Sequence, residues 1–115
     1  MTDTLMLLTP TRKIAMLNDL LRTTMHGGTV CVTAGVYALG EAFMIEAMAR
    51  VREFKDFTVE NDPHEEHDFG DVRVDGRTLF WKIDYLDPSM VYAADDPSDP
   101  KTTQRVLTIM LEEDY

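Results

Sequence analysis

The chain has 115 residues, 44% of them hydrophobic and 28% charged. That is the length of one domain, able to bury a core without disulfides or metal, and it is too apolar for a disordered segment of similar charge. The formal net charge is −10: residues 1–56 balance six acids with six bases, whereas residues 57–115 set fifteen acids against five bases. Such a surface repels nucleic-acid phosphate, so direct nucleic-acid binding is not expected, and it favours a basic protein surface as partner.

The segment Met1–Leu8 has an apolar patch but no basic leader, and no apolar run reaches the roughly 18 residues of a membrane span. A cytoplasmic protein without membrane contact is expected, forming one domain over 1–115 with 1–9 as a flexible start. The single cysteine, Cys31, fits a reducing compartment, and its place in the run Val30-Cys31-Val32 predicts a buried core thiol without chemistry.

Thr9-Pro10-Thr11 predicts a helix start, since Thr caps and Pro is tolerated in the first helical turn. Ile14, Leu17, Leu20, Leu21 and Met25 then form one stripe, with Arg12, Asp19 and Arg22 outside it, and Gly27-Gly28 ends the helix. Val30–Thr33 reads as a short strand. A second helix is predicted from about Leu39 to Phe54, with Met44, Ala47, Met48, Val51 and Phe54 on its buried side and the methionines as core filler. Residues 56–71 show no period and read as a loop.

Asp71–Val74 and Thr78–Tyr85 flank Asp75-Gly76, which suits a two-residue turn whose central positions both need positive φ. In the second arm Leu79, Trp81, Ile83 and Tyr85 share one face, which should meet the helices, and Phe80, Lys82 and Asp84 share the other. Residues 87–100, with Pro88, Pro97 and Pro100, read as an exposed loop, in which Tyr92 is an aromatic that a partner could use, like the terminal Tyr115. Arg105–Leu111 fits strand or helix by period, and its β-branched content favours strand. The resulting fold class is α+β: two helices packed on one face of a small, mainly antiparallel sheet of three to four strands.

Two clusters have residue types suited to chemistry. His64, His67 and Asp68, with Glu65 and Glu66 between them, are ligand types for a divalent transition metal, though not at the spacing of the helical zinc-protease motif. Asp84 and Asp87 follow Lys82 at a strand end, as in metal-dependent nuclease sites, but Phe80 stands where the first carboxylate of such a site would be. Pairing of Lys82 and Asp84 with charges across the sheet is the plainer expectation. There is no phosphate-binding loop, nucleophile elbow or paired-cysteine motif, and His26 stands alone.

The strings Leu17-Asn18-Asp19, Val32-Thr33-Ala34-Gly35-Val36, Asn61-Asp62-Pro63-His64-Glu65-Glu66-His67-Asp68-Phe69-Gly70, Phe80-Trp81-Lys82-Ile83-Asp84-Tyr85 and Arg105–Leu111 occur in an order that resembles an alphaproteobacterial domain family of unknown function. The resemblance covers roughly residues 14–115 and departs at Leu86, where members often have a second tyrosine. It brings no activity or cofactor. Relatives look like cargo of plasmids, phages and integrated elements, so the resemblance implies mobile-element biology.

These readings combine into one expectation: an acidic inhibitor of a bacterial defence system, anti-CRISPR or anti-restriction, that occludes a basic nucleic-acid-binding surface without a cofactor. Its docking residues would be Glu60, Asp62, Glu65, Glu66, Asp68, Asp71 and Asp75, with Asp95, Asp96 and Asp99 as a second patch. The alternatives are a small metal-dependent enzyme using His64, His67 and Asp68, with Asp84 and Asp87 as further ligands or bases, or a housekeeping domain that self-assembles through the hairpin edge or the methionine-containing helix. The oligomeric state stays open.

Overall fold

The computed structural model describes residues 8–115; the expected flexible start falls mostly outside them. Helix α1, Pro10–Thr24, begins where Thr9 Oγ1 accepts the amide of Arg12 at 3.2 Å and ends at Met25, in the left-handed region at φ 61°. Strand β1, Thr29–Val32, leads to a short helix α2, Ala34–Ala38, capped by Thr33, and then to α3, Glu41–Glu53, which Gly40 enters at φ 100°. The hairpin β2, Phe69–Val74, and β3, Arg77–Leu86, turns through Asp75 and Gly76 at φ 52° and 77°, as the dipeptide requires. The closing run is strand β4, Gln104–Leu111, followed by one 3-10 turn, Glu112–Asp114.

The sheet order is β1-β4-β3-β2. β4 and β2 flank β3 antiparallel, and β1 joins β4 in parallel, so the α+β class holds with a mixed sheet of four strands. Alternation puts Val72, Val74, Leu79, Trp81, Ile83, Leu107, Ile109 and Leu111 on the covered face, where they pack against Leu21, Val36, Phe43, Ala47 and Val51 from the helices. Met44 and Met48 lie half-buried against this core, as expected of filler. Three helices, not two, supply the cover: α2 is too short for its period to be read. Leu20, assigned to the buried stripe, is 51% exposed, and its place is taken by Asn18 and Arg22.

Cys31 corrects another expectation, because its thiol is exposed. β1 is covered on one face only; Val30 and Val32 turn toward the helices, so the residue between them points to the open face, where Sγ lies 3.4 Å from Thr108 Oγ1. On the same open side Phe69, Phe80 and Tyr115 form an aromatic group with centroids 5.1–5.8 Å apart. Asp114 fastens the carboxy-terminal turn to the start of α2 by accepting from Thr33 Oγ1 at 2.7 Å.

Candidate functional site

Ile14, Asn18, Leu21 and Met25 fall four, three and four residues apart, so the amide of Asn18 lies on the buried stripe of α1. It is fully buried and fully used. Its Nδ2 donates to the Glu66 carbonyl at 2.9 Å and to Tyr85 Oη at 2.8 Å, and its Oδ1 accepts from Arg105 Nε at 2.8 Å. The Tyr85 hydroxyl donates in turn to Glu66 Oε1 at 2.8 Å, with Asp68 Oδ2 at 3.5 Å. Arg105 also donates to the Pro97 carbonyl, which draws the loop after β3 onto this network.

Burial shifts the equilibria of this network. It raises the Tyr85 phenol far above its ordinary range. It also raises the Asp68 carboxyl, an effect increased by the charge of Glu66. The Arg105 guanidinium is lowered by the same desolvation.

One turn along α1, Arg22 is buried and donates to the carbonyls of Val51, Arg52 and Phe54 at 3.2, 3.2 and 2.6 Å, which satisfies the carboxy end of α3. Its Nη2 meets Asp19 Oδ1 at 3.0 Å, and its Nε is buried without a hydrogen-bond partner among the described residues. Asp19 in turn faces His67, whose Nδ1 is 3.0 Å from both carboxylate oxygens; a carboxylate only accepts, so the ring proton sits on Nδ1. The imidazole stacks on Phe57 at 4.0 Å and 5°, and its Nε2 looks toward Asp62 Oδ2 at 3.7 Å. Asp62 holds the loop closed: its Oδ1 accepts the amides of Glu66 and His67 at 3.0 and 3.1 Å, while Glu65 and His67 take left-handed φ of 59° and 58°.

Above this pair a cleft of about 640 Å³ opens between α1 and the loop. Arg12, Met16 and Asp19 form its helical wall, and Val59, Asp62, Pro63 and Glu65 face them, with Phe57 and His67 at the floor. The sequence brought His67 forward as a metal ligand, whereas here it joins Asp19, 48 residues away. His64 is exposed, and among the described residues no group of three or more His, Cys, Asp or Glu side chains is arranged to hold a metal ion.

The predicted acidic residues separate into two sets. Glu60, Glu65, Asp71, Asp75 and Asp95 are exposed and make no side-chain hydrogen bond or ion pair among the described residues. The other five are occupied. Asp62 is buried, Glu66 and Asp68 serve Tyr85, Asp96 accepts from Ser98 Oγ at 2.6 Å, and Asp99 accepts the Lys101 amide at 2.9 Å. Lys82 and Asp84 pair at 3.0 Å with each other along one strand and not across the sheet. Asp87 caps the following turn, its carboxyl lowered by Ser89 and by the amides of Tyr92, Val91 and Met90.

The class these features define is a small α+β domain with a buried polar network and a polar-floored cleft. The profile of the family described as "Protein of unknown function (DUF3768)" matches residues 32–114, and the chain belongs to that family. No curated protein and no solved structure matches it. No helix among the described residues is long and apolar enough to cross a membrane.

Proposed function

We propose that this domain is a binding protein whose acidic surface occupies a basic, nucleic-acid-binding face of another protein and keeps phosphate out. The observation that carries this reading is the set of five exposed carboxylates, Glu60, Glu65, Asp71, Asp75 and Asp95, which have no partner among the described residues and lie in the half of the chain that holds all of the net charge. An acid already bonded within its own chain offers a partner little. These five carry no such tie and give an arginine- or lysine-lined groove carboxylates in place of phosphate oxygens. The mobile-element setting implied by the sequence resemblance makes a bacterial restriction or CRISPR complex the partner class. The domain itself needs no cofactor for this role.

The test is capture of a defence subunit by the tagged full chain at moderate salt, repeated with Glu60, Glu65, Asp71 and Asp75 reversed to lysine. Stoichiometric capture that weakens with salt and disappears in the reversed variant supports the reading. Equal capture by both proteins rejects it.

A further inference from the structure

We propose that Met90, Val91 and Tyr92, at the tip of the turn after β3, are an apolar anchor that enters a hydrophobic pocket rimmed by lysine or arginine on the protein partner. This deepens the acidic-docking reading above and rests on it for the class of partner. The three residues follow one another in the chain and are 46%, 68% and 71% exposed. Single apolar residues are common on a surface, but three in succession on a fixed tip present a patch that contributes nothing to the core.

The tip is held in place by hydrogen bonds. Asp87 Oδ1 accepts from Ser89 Oγ at 2.7 Å and from the amides of Val91 and Tyr92, both at 3.2 Å. The Asp87 amide donates to the Tyr92 carbonyl at 2.7 Å, and the Met90 amide to the Asp87 carbonyl at 2.8 Å. Below the turn Leu86 bridges Ala93, and the Ala94 amide donates to the Tyr85 carbonyl at 3.1 Å, so the tip is tied to β3. Met90 sits at φ 62°, a left-handed conformation that glycine or asparagine adopts at lower cost, yet the position carries a large apolar side chain. Side chains on a backbone that is already ordered lose less entropy on binding.

Charge selects the occupant. Between Lys82 and Lys101 the chain carries Asp84, Asp87, Asp95, Asp96 and Asp99 and no lysine or arginine. An anionic lipid surface is repelled by such a border, and so is the same tip of a second copy. A pocket bordered by basic residues is attracted, with Val91 and Tyr92 on its floor and the flexible Met90 thioether adapting to its wall. Tyr92 adds a hydroxyl that can bond where the pocket meets water.

The test places the photo-cross-linking residue p-benzoylphenylalanine at Val91 of the tagged full chain, in a bacterium carrying active restriction and CRISPR systems. The control position is Ile45 of α3, which is 59% exposed. Irradiation should give one discrete protein adduct from Val91 and none from Ile45. The cross-linked peptide of the partner should hold apolar residues beside lysine or arginine. Val91→Ser combined with Tyr92→Ser, both at exposed positions, should leave the thermal midpoint unchanged and reduce capture of that protein about tenfold or more.

No adduct from Val91, equal adducts from both positions, an adduct with a second copy of this chain, or a contacted peptide without basic residues would overturn the inference. So would unchanged capture by the folded double serine variant, or cosedimentation of the unaltered chain with phosphatidylglycerol vesicles that this variant loses. The two proposals fail separately. A Val91 adduct that persists when Glu60, Glu65, Asp71 and Asp75 are reversed to lysine removes the docking reading only. Capture that is lost on that reversal but kept by the double serine variant removes the anchor only.

Discussion

Asn18 and Tyr85, 67 residues apart in sequence, meet at 2.8 Å beneath α1, and among the described residues Asn18 is the only side chain that touches Tyr85, Arg105 and the Glu66 carbonyl through hydrogen bonds. Asn18→Ala would leave the Arg105 donor, the Glu66 carbonyl and one side of the Tyr85 hydroxyl without their partner in a buried place. The expected cost is about 2–4 kcal/mol. Urea unfolding should show it as a lower midpoint with an unchanged slope.

Tyr85 gives the fold a limit at alkaline pH. Its phenol is raised in the folded domain, whereas in the unfolded chain it ionises near its ordinary value of about 10. The stability linked to this group is therefore whole below that value and declines above it, because the unfolded state releases the proton first. The difference in tyrosinate absorbance between the native protein and Tyr85→Phe reports this one phenol. It should show no ionisation of Tyr85 before the domain unfolds.

At acidic pH the informative residue is Asp68. Its raised carboxyl means that the folded state prefers the protonated form, so ionisation of Asp68 reduces stability as pH rises through the folded value. Asp68→Asn preserves shape and an acceptor for Tyr85 and removes the charge beside Glu66. At neutral pH it should stabilise the domain, by roughly a few tenths of a kcal/mol after solvent screening at this half-exposed site. The gain should vanish as pH falls below the carboxylate range, which thermal unfolding at a series of pH values would reveal.

The hairpin was legible in the sequence because Asp75-Gly76 states its turn chemistry locally and β3 alternates without interruption. Helical period likewise located α1 and α3. Period treats every polar residue as solvated, however, and so placed Arg22 in water when its guanidinium closes the end of α3. Asn18 left a usable signal, an amide set at buried spacing between Ile14 and Leu21. Asp19 and His67 left none, since no local rule links residues 48 apart. The parallel seam of β1 with β4 is similarly non-local, and it also decides that Cys31 faces outward. Charge counting found the acidic half but could not tell Glu60, which is exposed, from Asp62, which is buried and holds the loop that walls the cleft.

Gly70 tests how closely the edge strand must approach the core. It lies opposite Trp81 in the β2–β3 register, and a Cβ at this position would come within 2.6 Å of the indole Nε1 and 2.8 Å of Phe54. Trp81 is fully buried and Phe54 stands edge-on to it at 5.5 Å, so neither ring has space to retreat without opening the packing between α3 and the sheet. Phe57 leans on both rings and stacks on His67. A displaced indole would therefore shift the floor of the cleft. Gly70→Ala should destabilise the domain by about 1–3 kcal/mol and change the emission of the single tryptophan. A Gly70→Ala protein with native stability and native emission would show that β2 does not approach Trp81 as closely as the register requires.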